Sequence, residues 1–251
     1  MRRSLIGWVV AAVLAVVGGV FAYVVYFAGG SGVPSTDLTT PEVVTTTMPD
    51  TTTTSNADTS STSAADAADD GISFLIDSTQ TSASFEIGEV LRGEPGTVVG
   101  TTDQVAGQVV VETGDLGTAQ FSDIVINART FHTDSEQRDR TIRGPVIFDS
   151  GSDEHELITF SPRSVEGLEG IPAAPGESYE FTLSGDLTVK GTTKPVTFAV
   201  TVEMIDESVI HGSATAEVLR SDFDIDIPSV PFVADVTDEV ILNLEFVATA
   251  A

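Results

Sequence analysis

Two stretches of strict two-residue alternation, joined by a tight turn, constrain this chain more than any other feature. Tyr179, Phe181, Leu183, Gly185, Leu187 and Val189 share one face, and Glu180, Thr182, Ser184, Asp186, Thr188 and Lys190 the other. After the turn, Val196, Phe198, Val200, Val202 and Met204 face one way, and Thr197, Ala199, Thr201 and Glu203 the opposite way. A period of two marks antiparallel strands with one dry and one wet face. Gly191 suits a backbone position with positive φ. Pro195 fits the first residue of the outgoing strand, where a missing N–H costs little.

The region from Ile72 onward repeats this pattern. Candidate strands are Ser73–Asp77, Ala83–Ile87, Val105–Glu112, Ala119–Ala128, Leu157–Val165, Ser178–Val189, Val196–Ile205, Val209–Leu219 and Val240–Thr249. Gly, Asp, Asn and Pro punctuate them. Many strands without long intervening helices predict an antiparallel barrel or sandwich. One segment departs from the pattern. Asp134 with Gln137 has the spacing of a capping box, and Gly144-Pro145 is a stop signal. Glu136 with Arg140, and Asp139 with Arg143, stand at i,i+4 and can pair on a helix surface. Two turns of helix are expected there.

The N-terminal part is different material. Arg2 and Arg3 precede an uncharged run from Leu5 to Ala28. As a helix that run would reach ~36 Å, enough for a ~30 Å hydrocarbon core. Trp8, Tyr23 and Tyr26 lie near its ends, where interfacial aromatics are favoured. Residues 1–28 therefore read as a cytoplasmic stub and an uncleaved signal anchor, with the rest of the chain extracytoplasmic. A cleaved signal peptide is the rival, although its apolar core is ordinarily half as long. Residues 29–71 hold 18 Ser or Thr and no aromatic residue or base. Such a segment buries too little apolar surface to order itself, and it reads as a disordered linker with a reach of roughly 35 Å. Residues 72–251 form one domain.

Composition removes several functions. There is no cysteine, hence no disulfide, no thiolate nucleophile and no acylated lipoprotein anchor. A net charge of −27 argues against nucleic acid, whose phosphates require clustered Lys and Arg. His132, His155 and His211 are each isolated, without metal-ligand spacing. No Gly-x-Ser-x-Gly elbow or phosphate-binding loop is present. The chain reads as a non-enzyme that needs no cofactor and no metal.

Several elements, in order, resemble the YceI-like polyisoprenoid-binding domain family. They begin with Phe74-Leu-Ile-Asp77 and Ser82-Ala-Ser-Phe85. Ile124 to Ala128 follows, with Thr133-Asp134 and Arg138-Asp139, then Phe148-Asp149 and Ile158 to Ser161. The nearest match is Gly185 to Val196, and Arg220 to Ile225 and Asp238 to Glu245 complete the series. A His-Leu pair commonly follows the family's Arg-Asp, whereas this sequence has Thr141-Ile142, and its stretch Gly88–Thr102 reads as a long, Gly-rich insertion. The resemblance implies an all-β, lipocalin-like antiparallel β-barrel of about eight strands. Its apolar interior would hold an isoprenoid or other long aliphatic amphiphile. Dimers occur in families of this type, and nothing in the sequence specifies an interface.

Candidate inward residues are Phe85, Phe121, Phe160, Phe181, Leu183, Phe198, Val200, Leu242, Leu244 and Phe246. They could equally plug the interior, which would leave a filled barrel acting as a structural or interaction module of the cell envelope. Basic residues are scarce, so Arg138 and Arg220, which match family positions, are the candidates for contact with a phosphate or carboxylate head group.

Overall fold

The computed structural model describes residues 33–35, 38–43, 71–227 and 233–251. The apolar run 5–28, and with it the expected anchor, lies outside the described residues, as does most of the linker. Among the described residues no helix is long and apolar enough to cross a membrane.

Among the described residues thirteen strands form one sheet, and every pairing in it is antiparallel. In chain order they are β1 (Gly71–Ile76), β2 (Ser82–Leu91), β3 (Glu94–Thr102), β4 (Val105–Ala106), β5 (Gln108–Glu112), β6 (Gln120–Phe121), β7 (Ile124–Asn127), β8 (Leu157–Glu166), β9 (Ser178–Val189), β10 (Thr192–Asp206), β11 (Val209–Leu219), β12 (Val233–Ala234) and β13 (Glu239–Ala250). Among the described residues a single α-helix, α1 (Glu136–Arg143), lies between β7 and β8.

The strands exceed the nine candidates because Val105–Glu112 splits into β4 and β5, Ala119–Ala128 splits into β6 and β7, and β3 and β12 are additional. β1 and β2 are one run kinked by a 3-10 turn at Ser78–Gln80, which the Asp77 side chain caps by accepting from Thr79 N at 2.9 Å. The pairing of β13 shows this continuity. One edge of β13 runs along β11, while the other meets β2 from Val240 to Glu245 and β1 from Ala248 to Ala250. The run 94–112 is likewise broken into β3, β4 and β5. Through β3 and β5 it pairs with β2 and β1, and through β4 it pairs with β7. An isolated bridge between Thr101 and His132 adds a second contact at that seam. The sheet is therefore strongly curled, and its apolar faces turn onto one interior.

The β9–β10 hairpin is as the alternation requires. Val189 pairs with Thr192 across Lys190 and Gly191, whose φ values are 50° and 76°. Two successive positive φ values make the primed turn that matches the twist of a hairpin. β10 begins at Thr192, earlier than expected, which puts Pro195 inside the strand. Pro195 pairs with Asp186 of β9 and precedes the first β10–β11 pair at Ala199, so its missing N–H falls on a free edge.

Two local expectations fail. The Gly-rich stretch Gly88–Thr102, outside the candidate strands, is strand over most of its length, through the pairing of β2 with β3 in register from Ala83–Thr102 to Leu91–Glu94. The N-cap of α1 is Ser135 rather than Asp134, and no capping box forms. Asp134 instead pairs with Arg138, and Asp139 accepts from Thr133 N and Oγ1 at 2.7 Å each. The expected i,i+4 pairs do form, Arg140 with Glu136 at 3.5 Å and Arg143 with Asp139 at 3.7 Å.

Candidate functional site

The curled sheet encloses a cavity of about 480 Å³ and, further along its interior, a second of about 130 Å³. The first lies within the usual range for a small-molecule site. All ten residues chosen from the alternation stand on these walls. Phe85, Phe160, Leu183, Phe198, Leu242 and Leu244 line the larger cavity, and Phe121, Phe181, Val200 and Phe246 line the smaller one together with Leu183 and Leu244.

The interior stays open because several of its phenylalanines lie over glycine. The ring of Phe85 covers Gly100, its cross-strand partner, so closely that a Cβ there would stand 2.4 Å from ring carbons. Phe246 covers its partner Gly212 at the same separation, and Phe160 covers Gly185 at 2.8 Å. A ring laid over a glycine occupies the wall and leaves the lumen free.

The segment around α1 closes one end of the larger cavity. Phe131 and Phe148 meet Phe85 at ring-centroid distances of 5.5 and 6.1 Å and each other at 5.4 Å. Ile142 of α1 is buried in the same cluster. This roof is fastened by polar contacts: Arg143 Nε donates to the carbonyl of Phe131 at 3.0 Å, and Lys190 Nζ at the hairpin turn donates to the carbonyl of Val146 at 3.1 Å.

Arg138 and Arg220 both reach this end of the larger cavity. Arg138 pairs with Glu89 of β2 at 3.2 Å and with Asp134. Glu89 is the more enclosed of the two carboxylates and also lines the cavity. Arg220 is a clasp. It donates from Nε to the carbonyl of Thr237 at 3.0 Å and from Nη1 to the carbonyl of Ile225 at 2.8 Å, which ties 220–225 to the start of β13. Asp238 beside it accepts from Ser221 Oγ and N, and those bonds, the hydroxyl's first, hold its carboxyl below the ordinary value. Among the described residues no group of three acidic or histidine side chains could hold a metal. His155 bonds to Asp149 at 3.0 Å and His132 to Thr101 at 3.2 Å, both away from the cavity lining.

A second polar constellation, at the end of β7, is buried. Arg129 is 6% exposed and Glu156 8%. The guanidinium donates to Glu156 Oε2 at 2.8 Å, to Asp153 Oδ1 at 2.6 Å, and to the carbonyls of Ser150 and Val33 at 2.5 and 3.0 Å. Glu156 Oε1 accepts from Asn127 Nδ2 at 3.0 Å and from Ser35 N at 2.7 Å. The linker residues 33–35 are thus held against the domain by a buried ion pair. Burial alone would raise the Glu156 carboxyl. The bonds from Ser35 and Asn127 and the charge of Arg129 outweigh it and hold the pKa below its ordinary 4.5. A depressed carboxylate stabilises above its free pKa, and that contribution is lost as pH falls through the lower, bound value. Segment 33–35 is therefore expected to stay docked at neutral pH and to release only well below pH 4.5. Exchange protection of the Ser35 amide checks this, and protection unchanged down to the acid unfolding of the domain would refute it.

A curled antiparallel sheet around a dry interior, with charge confined to one end, is the architecture of β-proteins that enclose one small apolar ligand. The chain belongs to the YceI-like domain family, matched over residues 74–248. It is 27% identical over 147 residues to a UPF0312 protein of Staphylococcus aureus strain MSSA476, covering 59% of this chain and 75% of that protein. In fold it is similar to BcnA of Burkholderia cenocepacia, with a TM-score of 0.53 and 20% identity over 69% of this chain and 99% of that one. A polyisoprenoid binding domain from Saccharophagus degradans, implicated in plant cell wall breakdown, aligns with a TM-score of 0.55 and 13% identity over 71% of this chain and 98% of that one.

Proposed function

We propose that this protein binds an isoprenoid or other long aliphatic amphiphile in the interior of its sheet, as a membrane-anchored, single-pass protein with the domain outside the cytoplasm. The observation that carries the reading is the 480 Å³ cavity itself, lined by Phe, Leu, Ile and Val in a chain that had the aromatic residues to fill it. Burial of each methylene contributes about 0.8 kcal/mol before ordering costs, so a tail of ten or so carbons is held without specific polar chemistry. Family membership and the polyisoprenoid-binding relative support the same ligand class. The anchor rests on the uncharged run Leu5–Ala28 behind Arg2 and Arg3.

Solvent extraction of the purified full chain, followed by mass spectrometry, tests the ligand. One amphiphile at near-stoichiometric ratio is expected. Recovery of bulk membrane lipid alone, with no uptake of a fluorescent polyene, would defeat the reading. Alkaline carbonate washing of membranes and protease shaving of intact cells test the anchor and its orientation; release into the wash would remove it.

The rim refines the choice of head group. Arg138 already faces two carboxylates, Glu89 and Asp134, so the α1 end of the cavity carries no net positive charge from this cluster. A neutral hydroxyl or carbonyl head fits it better than a phosphate does. Glu89→Gln is accordingly expected to improve binding of a prenyl phosphate by roughly tenfold while leaving the matching prenol within about twofold, since one fewer negative charge is worth about 1.4 kcal/mol at a half-screened site. Parallel titrations of the two ligands check this, and equal changes for both would contradict it.

A further inference from the structure

The two cavities share part of their lining. Ile124 of β7, Leu183 of β9, Ala214 of β11 and Leu244 of β13 appear on the wall of both. Along β9, Leu187 and Val189 border only the larger cavity, while Tyr179 and Phe181 border only the smaller one, with Leu183 between them. The order on β13 agrees: Val240 and Leu242 on one side, Leu244 between, Phe246 and Ala248 on the other. The cavities therefore lie one behind the other, separated by a single layer of apolar side chains. The charged rim belongs to the larger cavity, so a ligand's head stays there and its tail points towards this layer.

The smaller void calls for an explanation. Its lining is apolar apart from Gln108, Thr113 and the Tyr179 hydroxyl. That hydroxyl bonds locally, accepting from Ala174 N at 2.8 Å. An unfilled apolar void lowers stability in proportion to its volume, and one larger side chain would abolish it. So apolar a lining offers a water few partners, and hydration does not account for the void.

We propose that Ile124, Leu183, Ala214 and Leu244 form a waist that sets the length of tail this protein accepts, with Leu183 as its main stop. This rests on the apolar-tail reading above. A tail that ends before the waist fills the larger chamber. A longer one must displace Leu183 to enter the smaller chamber, and its further carbons gain nothing until it does. Affinity should then rise by about fourfold per added methylene up to a break, and level off beyond it. Removing the Leu183 side chain joins the chambers and moves the break to longer tails.

The test is displacement of a bound fluorescent polyene from the full chain in nanodiscs by geraniol, farnesol, geranylgeraniol and longer prenols, each corrected for partition into empty nanodiscs. Leu183→Ala is expected to shift the break by at least one prenyl unit and to strengthen binding of the next longer prenol by tenfold or more. Leu244→Ala, on another strand of the same waist, is expected to shift it in the same direction, and it serves if Leu183→Ala does not fold. A break that stays at the wild-type length in a folded variant overturns the waist and leaves the apolar-tail reading standing. Failure of every prenol to displace polyene from the wild type overturns both.

Discussion

Replacing Arg129 with methionine is expected to lower the stability of the domain by about 3–5 kcal/mol, because it strands the buried Glu156 carboxylate without its counter-charge. The ion pair is enclosed and shares its neighbours: Asn127 and Ser35 also bond to Glu156, and the carbonyls of Ser150 and Val33 accept from Arg129. Methionine keeps most of the volume, so the loss reads electrostatics and hydrogen bonding rather than a cavity. The double variant Arg129→Met with Glu156→Gln removes the stranded charge and should recover more than half of the loss. Urea denaturation of Arg129→Met, Glu156→Gln and the double variant gives the coupling. A loss below about 1 kcal/mol for Arg129→Met would mean that water reaches Glu156 and that the pair behaves as a surface one.

That constellation is also where the sequence was least legible. Arg129 follows the apolar strand β7 and precedes a polar segment, and nothing nearby in sequence marks Glu156 as its partner. The pairing exists because β7 and β8 run side by side, with Asn127 opposite Leu157. The same limit hid Glu89, which meets Arg138 across 49 residues of chain. The β9–β10 hairpin, by contrast, was written locally, in its period of two and in Lys190-Gly191. Alternation also sufficed to place all ten wall residues, since an inward face is a property of each strand alone. The roof was not legible: Phe131 and Phe148 lie in irregular segments with no period to reveal which way they turn. β3 was missed because its Gly96 and Gly100 and its Pro95 resemble a loop, although Gly100 is there to receive the ring of Phe85. At α1 Asp134 pairs with Arg138 instead of capping, and the N-cap falls one residue later, at Ser135.

The glycines under the rings give the second large effect, and they separate two ways in which a methyl group can do harm. At Gly100 the three atoms nearest an added Cβ all belong to the ring of Phe85. A ring can turn, and the free direction is into the lumen, so Gly100→Ala should cost about 1–3 kcal/mol of stability and narrow the larger cavity. Polyene uptake is then expected to fall at least tenfold while the domain remains folded. At Gly185 the nearest atom is the backbone carbonyl oxygen of Ser161, 2.4 Å from the added Cβ, with the Phe160 ring only slightly farther away. Backbone held in the β8–β9 pairing cannot turn aside, and this site lies next to the register shift between Pro162 and Ser164. Gly185→Ala is therefore expected to cost at least about 3 kcal/mol, seen as a large drop in the urea midpoint, with binding lost along with the fold. The pair of variants separates stability from binding: one leaves a folded domain with a crowded interior, the other opens the sheet. Were both to bind polyene like the wild type, the rings would have room elsewhere, and their placement over glycine would not be what keeps the interior open.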